Sequence, residues 1–268
     1  MRVGIAGFGN VGVEVTRRLV GGAVNGASIA GITSGRLDRA RARAAEVDPG
    51  LTVLPLPELV TISDVIIECA TAEAFPEIAR TVLYAGKRLI AISACGIPNC
   101  PELIDMAHRF GGSVTLANGA LPGLDIIRSA NEGGIDKARL TTRLRPESIL
   151  NEAYVLAEYS GTKPTINVPT RLFTGSAAEA ARAFPRHFNV AVSLSLAGIG
   201  LDRTEVEVWC DPTVAGTVHE VVVDAADVSL TLISRNVPSA VNPRTSRIVA
   251  ASVLAALRRE ISPVKVGG

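Results

Sequence analysis

Large aromatic side chains are scarce in this 268-residue chain: Phe, Trp and Tyr together make up 4% of it, with a single Trp. The 47% hydrophobic content must come mostly from small and branched aliphatic residues, which suits a Val/Ile-rich parallel sheet covered by helices. Charge of one sign is also missing. The 27 Lys and Arg against 26 Asp and Glu leave a net +1, and the basic residues are dispersed. That balance argues against a nucleic-acid or membrane-surface partner and leaves a small molecule as the expected one. The four cysteines, Cys69, Cys95, Cys100 and Cys210, form no C-x-x-C pair, and no histidine cluster accompanies them, so no metal site is expected. No apolar run reaches the roughly 18 residues of a membrane span. Met1 leads straight into a strand-like segment with no room for a charged and then apolar signal segment. A cytoplasmic protein with reduced thiols is expected.

What is present starts at once. Met1 to Ala6 reads as a buried strand running into Gly7-Phe8-Gly9-Asn10-Val11-Gly12, and a helical pattern follows without a gap. This is the dinucleotide-binding fingerprint in its required context of strand, turn and helix. Gly7 permits the tight turn, Gly9 lets the backbone approach a pyrophosphate, and Gly12 lets the helix pack against the strand. Asn10 and Val11 open the helix whose N-terminal N–H groups and dipole would hold the anion. Strand and helix signals then alternate: strands at 27–33, 64–69, 88–93 and 113–116, helices at 37–46, from about Thr71 with its hydroxyl as cap, and at 101–109. Such alternation predicts an α/β fold of Rossmann type, a doubly wound parallel sheet, over residues 1–118.

From about Asn118 the rhythm changes. A strand at 140–144, an irregular polar stretch at 147–169, and alternating strands at 204–210, 218–223 and 228–234 predict a second, α+β domain over 119–241 with an antiparallel sheet. The segment 242–268 is expected to form a helix that begins near Pro243 and packs back on the first domain.

The second strand bears on cofactor choice. In the NAD-specific form of this unit an acidic residue about 20 residues past the glycines accepts bonds from the ribose hydroxyls. Here the strand ends Gly31-Ile32-Thr33-Ser34-Gly35-Arg36. A small hydroxyl side chain followed by arginine suits a 2′-phosphate, so Ser34 and Arg36 are cofactor-binding candidates and NADP is expected to be accepted beside NAD. Arg39, Arg41 and Arg43 read as a solvated helix face.

Several segments together resemble the L-aspartate dehydrogenase family: Glu68-Cys69-Ala70, Gly119-Ala120-Leu121-Pro122-Gly123-Leu124-Asp125, Phe184 to Ala191, Val218-His219 and Asn242-Pro243-Arg244-Thr245-Ser246. The resemblance spans essentially the whole chain. It implies NAD(P)-dependent oxidation of L-aspartate to iminosuccinate, which hydrolyses to oxaloacetate and ammonia. It places the catalytic histidine at His219 and nicotinamide-side positions at Ala120 and Asn189, and it implies a homodimer formed through the second domain. One segment departs: where the family usually reads Arg-Lys-Pro-Pro, this chain has Arg143-Leu144-Arg145-Pro146-Glu147-Ser148.

Read by themselves, the three histidines are the natural proton carriers near neutral pH. His108 suits a helix C-terminus, His187 stands beside Arg186, and His219 starts a strand, where a histidine serves structure or catalysis. A dicarboxylic amino acid needs cationic or N–H partners, and the candidates are Arg145, Arg186 and Arg244, with Thr245 near a helix N-terminus as carboxylate binder or cap. Cys95, after a strand, offers a thiol for aldehyde chemistry or a small buried side chain. Glu68 offers a base or a loop anchor. Two other functions stay open beside aspartate oxidation: a reductase or dehydrogenase of another amino, imino or keto dicarboxylic acid, and a noncatalytic NAD(P)-sensing protein.

Overall fold

Five short strands form the first sheet, and the central three are buried over nearly their whole length. In the computed structural model, which describes residues 1–185, 187–238 and 246–267, the chain runs through β1 (Arg2–Ala6), α1 (Asn10–Val20), β2 (Ser28–Thr33), α2 (Leu37–Val47), α3 (Leu56–Ile62), β3 (Val65–Glu68), α4 (Phe75–Tyr84), β4 (Arg88–Ala91), α5 (Leu103–Phe110) and β5 (Ser113–Leu116). All strand pairs are parallel, in the order β2-β1-β3-β4-β5. Every residue of β3, Val-Ile-Ile-Glu, is buried, as expected for a central strand with helices on both faces. The Rossmann-type class read from the alternation is borne out. Helix α4 corrects one detail: it starts at Phe75 with Pro76 in its first turn, and Thr71 contributes its backbone carbonyl to Ala74 and Phe75 rather than serving as the cap residue. Proline's fixed φ suits a first helical turn, and Pro76 was the signal to read.

The second set of elements is α6 (Leu124–Gly133), β6 (Ile135–Leu144), α7 (Pro146–Ile149), α8 (Ala153–Glu158), β7 (Thr170–Ser176), α9 (Ala177–Ala183), α10 (Asn189–Ala197), β8 (Glu205–Cys210), β9 (Val218–Ala225) and β10 (Ser229–Arg235). Their sheet has the order β10-β9-β6-β8-β7. It is mixed rather than antiparallel, because β6 and β8 pair in parallel. The connection between them carries α9 and α10, and a helix-bearing crossover is what a parallel pair requires. The polar stretch 147–169 also holds the short helices α7 and α8. One face of the sheet is buried, with Ala138, Leu140, Thr142, Leu144, Val206, Val208, Cys210, His219, Val221 and Val223 all pointing to it.

The chain divides into two compact units, Met1–Gly119 with Val249–Lys265, and Ala120–Ile248. The last helix, α11 (Ile248–Ile261), thus lies almost wholly in the first unit, where Ala250, Val253, Leu254 and Leu257 share one core with Val3, Ile5, Val15 and Leu19. Their spacing makes one apolar stripe at helical period. The expected helix start at Pro243 falls outside the described residues.

Candidate functional site

In the first sheet the strand order reverses direction between β1 and β3, and ligands of open α/β sheets bind at the carboxyl ends of strands at such a point. The glycine turn sits there. Gly7 adopts φ +101°, and a Cβ on it would lie 2.5 Å from the backbone of Cys69 and Ala70 at the exit of β3. A Cβ on Gly12 would lie 2.1 Å from the Gly7 carbonyl oxygen, so helix and turn touch through that missing atom. A Cβ on Gly9 would meet nothing within 4 Å. Close packing at Gly7 and Gly12 and open space at Gly9 are what a bound pyrophosphate needs, and Asn10 and half-buried Val11 begin α1 directly after it.

The end of β2 is tied to this turn: Gly7 N–H donates to the Thr33 carbonyl at 2.9 Å. Ser34 is half-buried and Arg36 exposed at the N-terminal boundary of α2. Arg41 pairs with Asp38 at 2.7 Å on the helix surface. Arg43 differs from the solvated-face reading. It is half-buried and donates to the Phe8 carbonyl at 3.0 Å and to Asn10 Oδ1 at 3.4 Å. Its Cβ tilts toward the helix N-terminus, as on any α-helix, and the long side chain then reaches the turn.

Glu68, at the end of β3, is fully buried and acts as a loop anchor. Oε1 accepts from Ala70 N at 2.6 Å and Ser93 Oγ at 2.8 Å, and Oε2 accepts from Ser93 N at 3.0 Å and Ile92 N at 3.2 Å. Burial raises its pKa and outweighs the hydrogen bonds that lower it. Cys95 is buried in the 3-10 turn Ala94–Asn99, and the other three cysteines are buried too. A buried thiol lacks the electropositive, partly exposed setting of a reactive one.

In the second unit His219 is 4% exposed and sits between Thr142 on β6 and Ser234 on β10 in cross-strand register. Its Nδ1 lies 3.0 Å from Thr142 Oγ1. Nε2 has no hydrogen-bond partner among the described residues. Burial pushes its pKa from 6.5 down to about 4, so the imidazole is neutral at physiological pH. A run of hydrogen bonds passes through Ser234: Ser246 Oγ donates to Asn236 Oδ1, Asn236 Nδ2 to Ser234 Oγ, and Ser234 Oγ to the Ala120 carbonyl, at 3.1, 3.1 and 2.9 Å. Ala120 and Ser246 are therefore linked through Ser234 and Asn236, and Ser234 is the cross-strand neighbour of His219. Sequence reasoning missed Ser234 and Asn236, and a Ser and an Asn at the end of a strand carry no signal of their own. Ser246 Oγ also accepts from Ile248 N at 3.4 Å, the capping role at the start of α11.

The low His219 pKa has a stability consequence. The unfolded chain takes up this proton near pH 6.5 and the folded chain only near about 4. Stability is accordingly complete above pH 6.5, falls as pH drops through that window, and levels off below it, for a total on the order of 3 kcal/mol. Melting temperatures of the native chain and His219→Gln between pH 7 and 4.5 check this: the native chain should lose more, and equal losses would contradict it.

The remaining candidates are dispersed. Asn189 is half-buried at the start of α10, which packs against α6 and α9. His187 Nε2 lies 3.1 Å from Glu152 Oε1, both side chains nearly buried. Arg145 pairs with Glu147 and donates to the Ala215 carbonyl at 3.5 Å, so a substrate carboxylate would compete with a carboxylate already there. Arg143 stacks over Trp209 at 4.8 Å and reaches the buried Asp211 at 3.3 Å. Arg186, Arg244 and Thr245 lie outside the described residues. Among the described residues no cluster of potential ligands for a metal ion occurs, and no helix is long and apolar enough to cross a membrane.

Known proteins match both units. Residues 125–260 match the family described as aspartate dehydrogenase, C-terminal, and residues 7–115 match the homoserine dehydrogenase NAD binding domain. L-aspartate dehydrogenase 3 of Bordetella bronchiseptica is 39% identical over 99% of this chain and 97% of its own length. L-aspartate dehydrogenase of Bradyrhizobium diazoefficiens is 35% identical over 100% of this chain and 94% of its own. The crystal structure of aspartate dehydrogenase from Thermotoga maritima has a TM-score of 0.75 at 22% identity, covering 100% of this chain and 99% of that one, and shows the shared fold. With a dinucleotide turn in one unit, a buried strand histidine in the other and full-length relatives at this identity, the chain belongs to the aspartate dehydrogenase family.

Proposed function

We propose that this chain oxidises L-aspartate to iminosuccinate with NAD or NADP, the imine then hydrolysing to oxaloacetate and ammonia. The observation that carries the reading is the neutral, buried His219 held by Thr142 in a chain with a complete glycine turn. Gly7, Gly9, Asn10, Val11 and Gly12 would hold the dinucleotide's pyrophosphate. When bound, the nicotinamide accepts the hydride that leaves the substrate α-carbon. His219 takes the proton that leaves the amine as the C=N bond forms. In the tautomer with Nδ1–H donating to Thr142 Oγ1, the Nε2 lone pair is left to take the proton, and that tautomer is the productive one. A substrate with two carboxylates favours the imidazolium, which offsets the effect of burial. Arg186 and Arg244, from two of the motifs shared with the family, are proposed to hold those carboxylates; Ala120 and Asn189 are proposed to border the nicotinamide.

The test is the absorbance of reduced cofactor formed from L-aspartate and a panel of other amino acids, with oxaloacetate plus ammonia in reverse. Turnover of aspartate above the panel supports the reading. Turnover of a different dicarboxylic acid in its place would transfer the assignment to that substrate.

A homodimer is proposed through the sheet face opposite His219, where Thr141, Trp209 and Val222 are only half-buried and Ile233 is 43% exposed. Sedimentation velocity should find a dimer of the 27.9 kDa chain, and a monomer at micromolar concentration would refute it. Cys69, Cys100 and Cys210, buried thiols outside any disulfide, suit a reducing compartment such as the cytoplasm.

A further inference from the structure

We infer that Arg43, with Arg36 and Arg39, forms the binding face for a 2′-phosphate, which makes this chain selective for NADP(H) over NAD(H). The inference rests on the dinucleotide reading above and goes beyond it, since either cofactor satisfies that reading. Three observations carry it.

Arg39 and Arg43, four residues apart, share one flank of α2, and Arg36 is the residue that precedes its first turn. The bonds of Arg43 to Phe8 and Asn10 show which way that flank looks: toward the glycine turn. Asp38 and Arg41, which pair with each other, lie on the far side.

The charge of this flank is not neutralised within the protein. Arg43 donates to a carbonyl and an amide oxygen, which orient the guanidinium and leave its full positive charge and three N–H groups available. Among the described residues no carboxylate pairs with Arg36, Arg39 or Arg43. A phosphate is the ligand class that planar, multidentate guanidinium groups recognise best.

The location is that of the ribose 2′ position. In a Rossmann unit the ribose hydroxyls meet the end of β2. Here Thr33 accepts from Gly7 N, so the end of β2 lies one residue from the carbonyl that orients Arg43. Half-buried Ser34 supplies a hydroxyl there, and the first acidic side chain that follows, Asp38, is paired with Arg41.

The experiment is calorimetric titration of the purified full chain with NADPH, NADH and adenosine 2′,5′-bisphosphate, without substrate. NADPH should bind at least about tenfold tighter than NADH, and the bisphosphate should bind competitively with NADPH. Arg43→Gln and Arg36→Gln should each weaken NADPH roughly tenfold, the loss expected of one charged hydrogen-bonding partner, and change NADH less than about threefold. Arg43→Lys, which keeps the charge without the fork, should fall between. If Arg43→Gln weakens NADPH and NADH equally, Arg43 only braces the turn and the proposal is wrong. Equal native affinities for the two dinucleotides would also overturn it. Binding of neither would refute the dinucleotide reading itself. Should circular dichroism show Arg43→Gln unfolded, exposed Arg39→Gln must carry the same NADPH-selective loss or the proposal falls.

Discussion

Replacing His219 with Asn is expected to lower turnover of aspartate by about 10²- to 10⁴-fold, the range that a positioned general base contributes. Affinity for the reduced dinucleotide should stay within about twofold, because the glycine turn that would hold the pyrophosphate belongs to the other unit of the fold. The physical basis is the nitrogen left on the imidazole. Thr142 engages Nδ1, and burial keeps the ring neutral down to about pH 4, so Nε2 stays unprotonated throughout the physiological range and the substrate's carboxylates must favour the imidazolium as it forms. Asparagine is close enough in size to keep the strand pairing with Thr142 and Ser234 but cannot take up a proton. Steady-state kinetics together with dinucleotide titration decide the matter. An unchanged kcat would remove His219 from the chemistry, and a parallel loss of dinucleotide affinity would make its role structural.

Glu68→Gln should be the most damaging conservative change in the first unit. The carboxylate receives four donors, two on each oxygen. Glutamine keeps one acceptor oxygen for Ala70 and the Ser93 hydroxyl. Its amide nitrogen would then face the N–H groups of Ile92 and Ser93, two buried donors stripped of an acceptor. Each such loss costs about 1–3 kcal/mol, so a destabilisation of roughly 2–6 kcal/mol is expected. At roughly 2–4 °C per kcal/mol for a protein of about this size, the melting temperature should fall by about 4–24 °C. These bonds join the loops after β3 and β4 at the carboxyl edge of the sheet, so dinucleotide affinity should fall as well. A melting temperature within 2 °C of native, by the same scale, would show that the loops hold without this carboxylate.

The glycine turn was legible in the sequence because its requirements are local. A positive φ at Gly7 and a missing Cβ at Gly12 are properties of the backbone within six residues, and the flanking strand and helix carry their own periodicities. The parallel sheet followed for the same reason, since each fully apolar strand such as Val65-Ile66-Ile67 states that both of its faces are covered. Arg43 was not legible. Helical period places it beside Arg39, yet a helix has several exposed flanks, and only packing decides which of them meets Phe8. Nor was the parallel pairing of β6 with β8, because alternation along a strand marks its buried face and says nothing of a neighbour's direction.

The same division runs through the candidate site. His219 was found as a residue and through its family resemblance, but what makes it a neutral proton acceptor lies elsewhere in the chain: Thr142, 77 residues away, and the apolar face that desolvates both. Ser234 and Asn236 join Ala120 to Ser246 only because β10 lies at the sheet edge next to β9. By itself the sequence determined the chemistry available, which glycines, which histidine and which arginines, since these are properties of single residues and short spacings. Tertiary structure decided their protonation and their partners, because desolvation and hydrogen bonding depend on groups that the chain brings together from far apart.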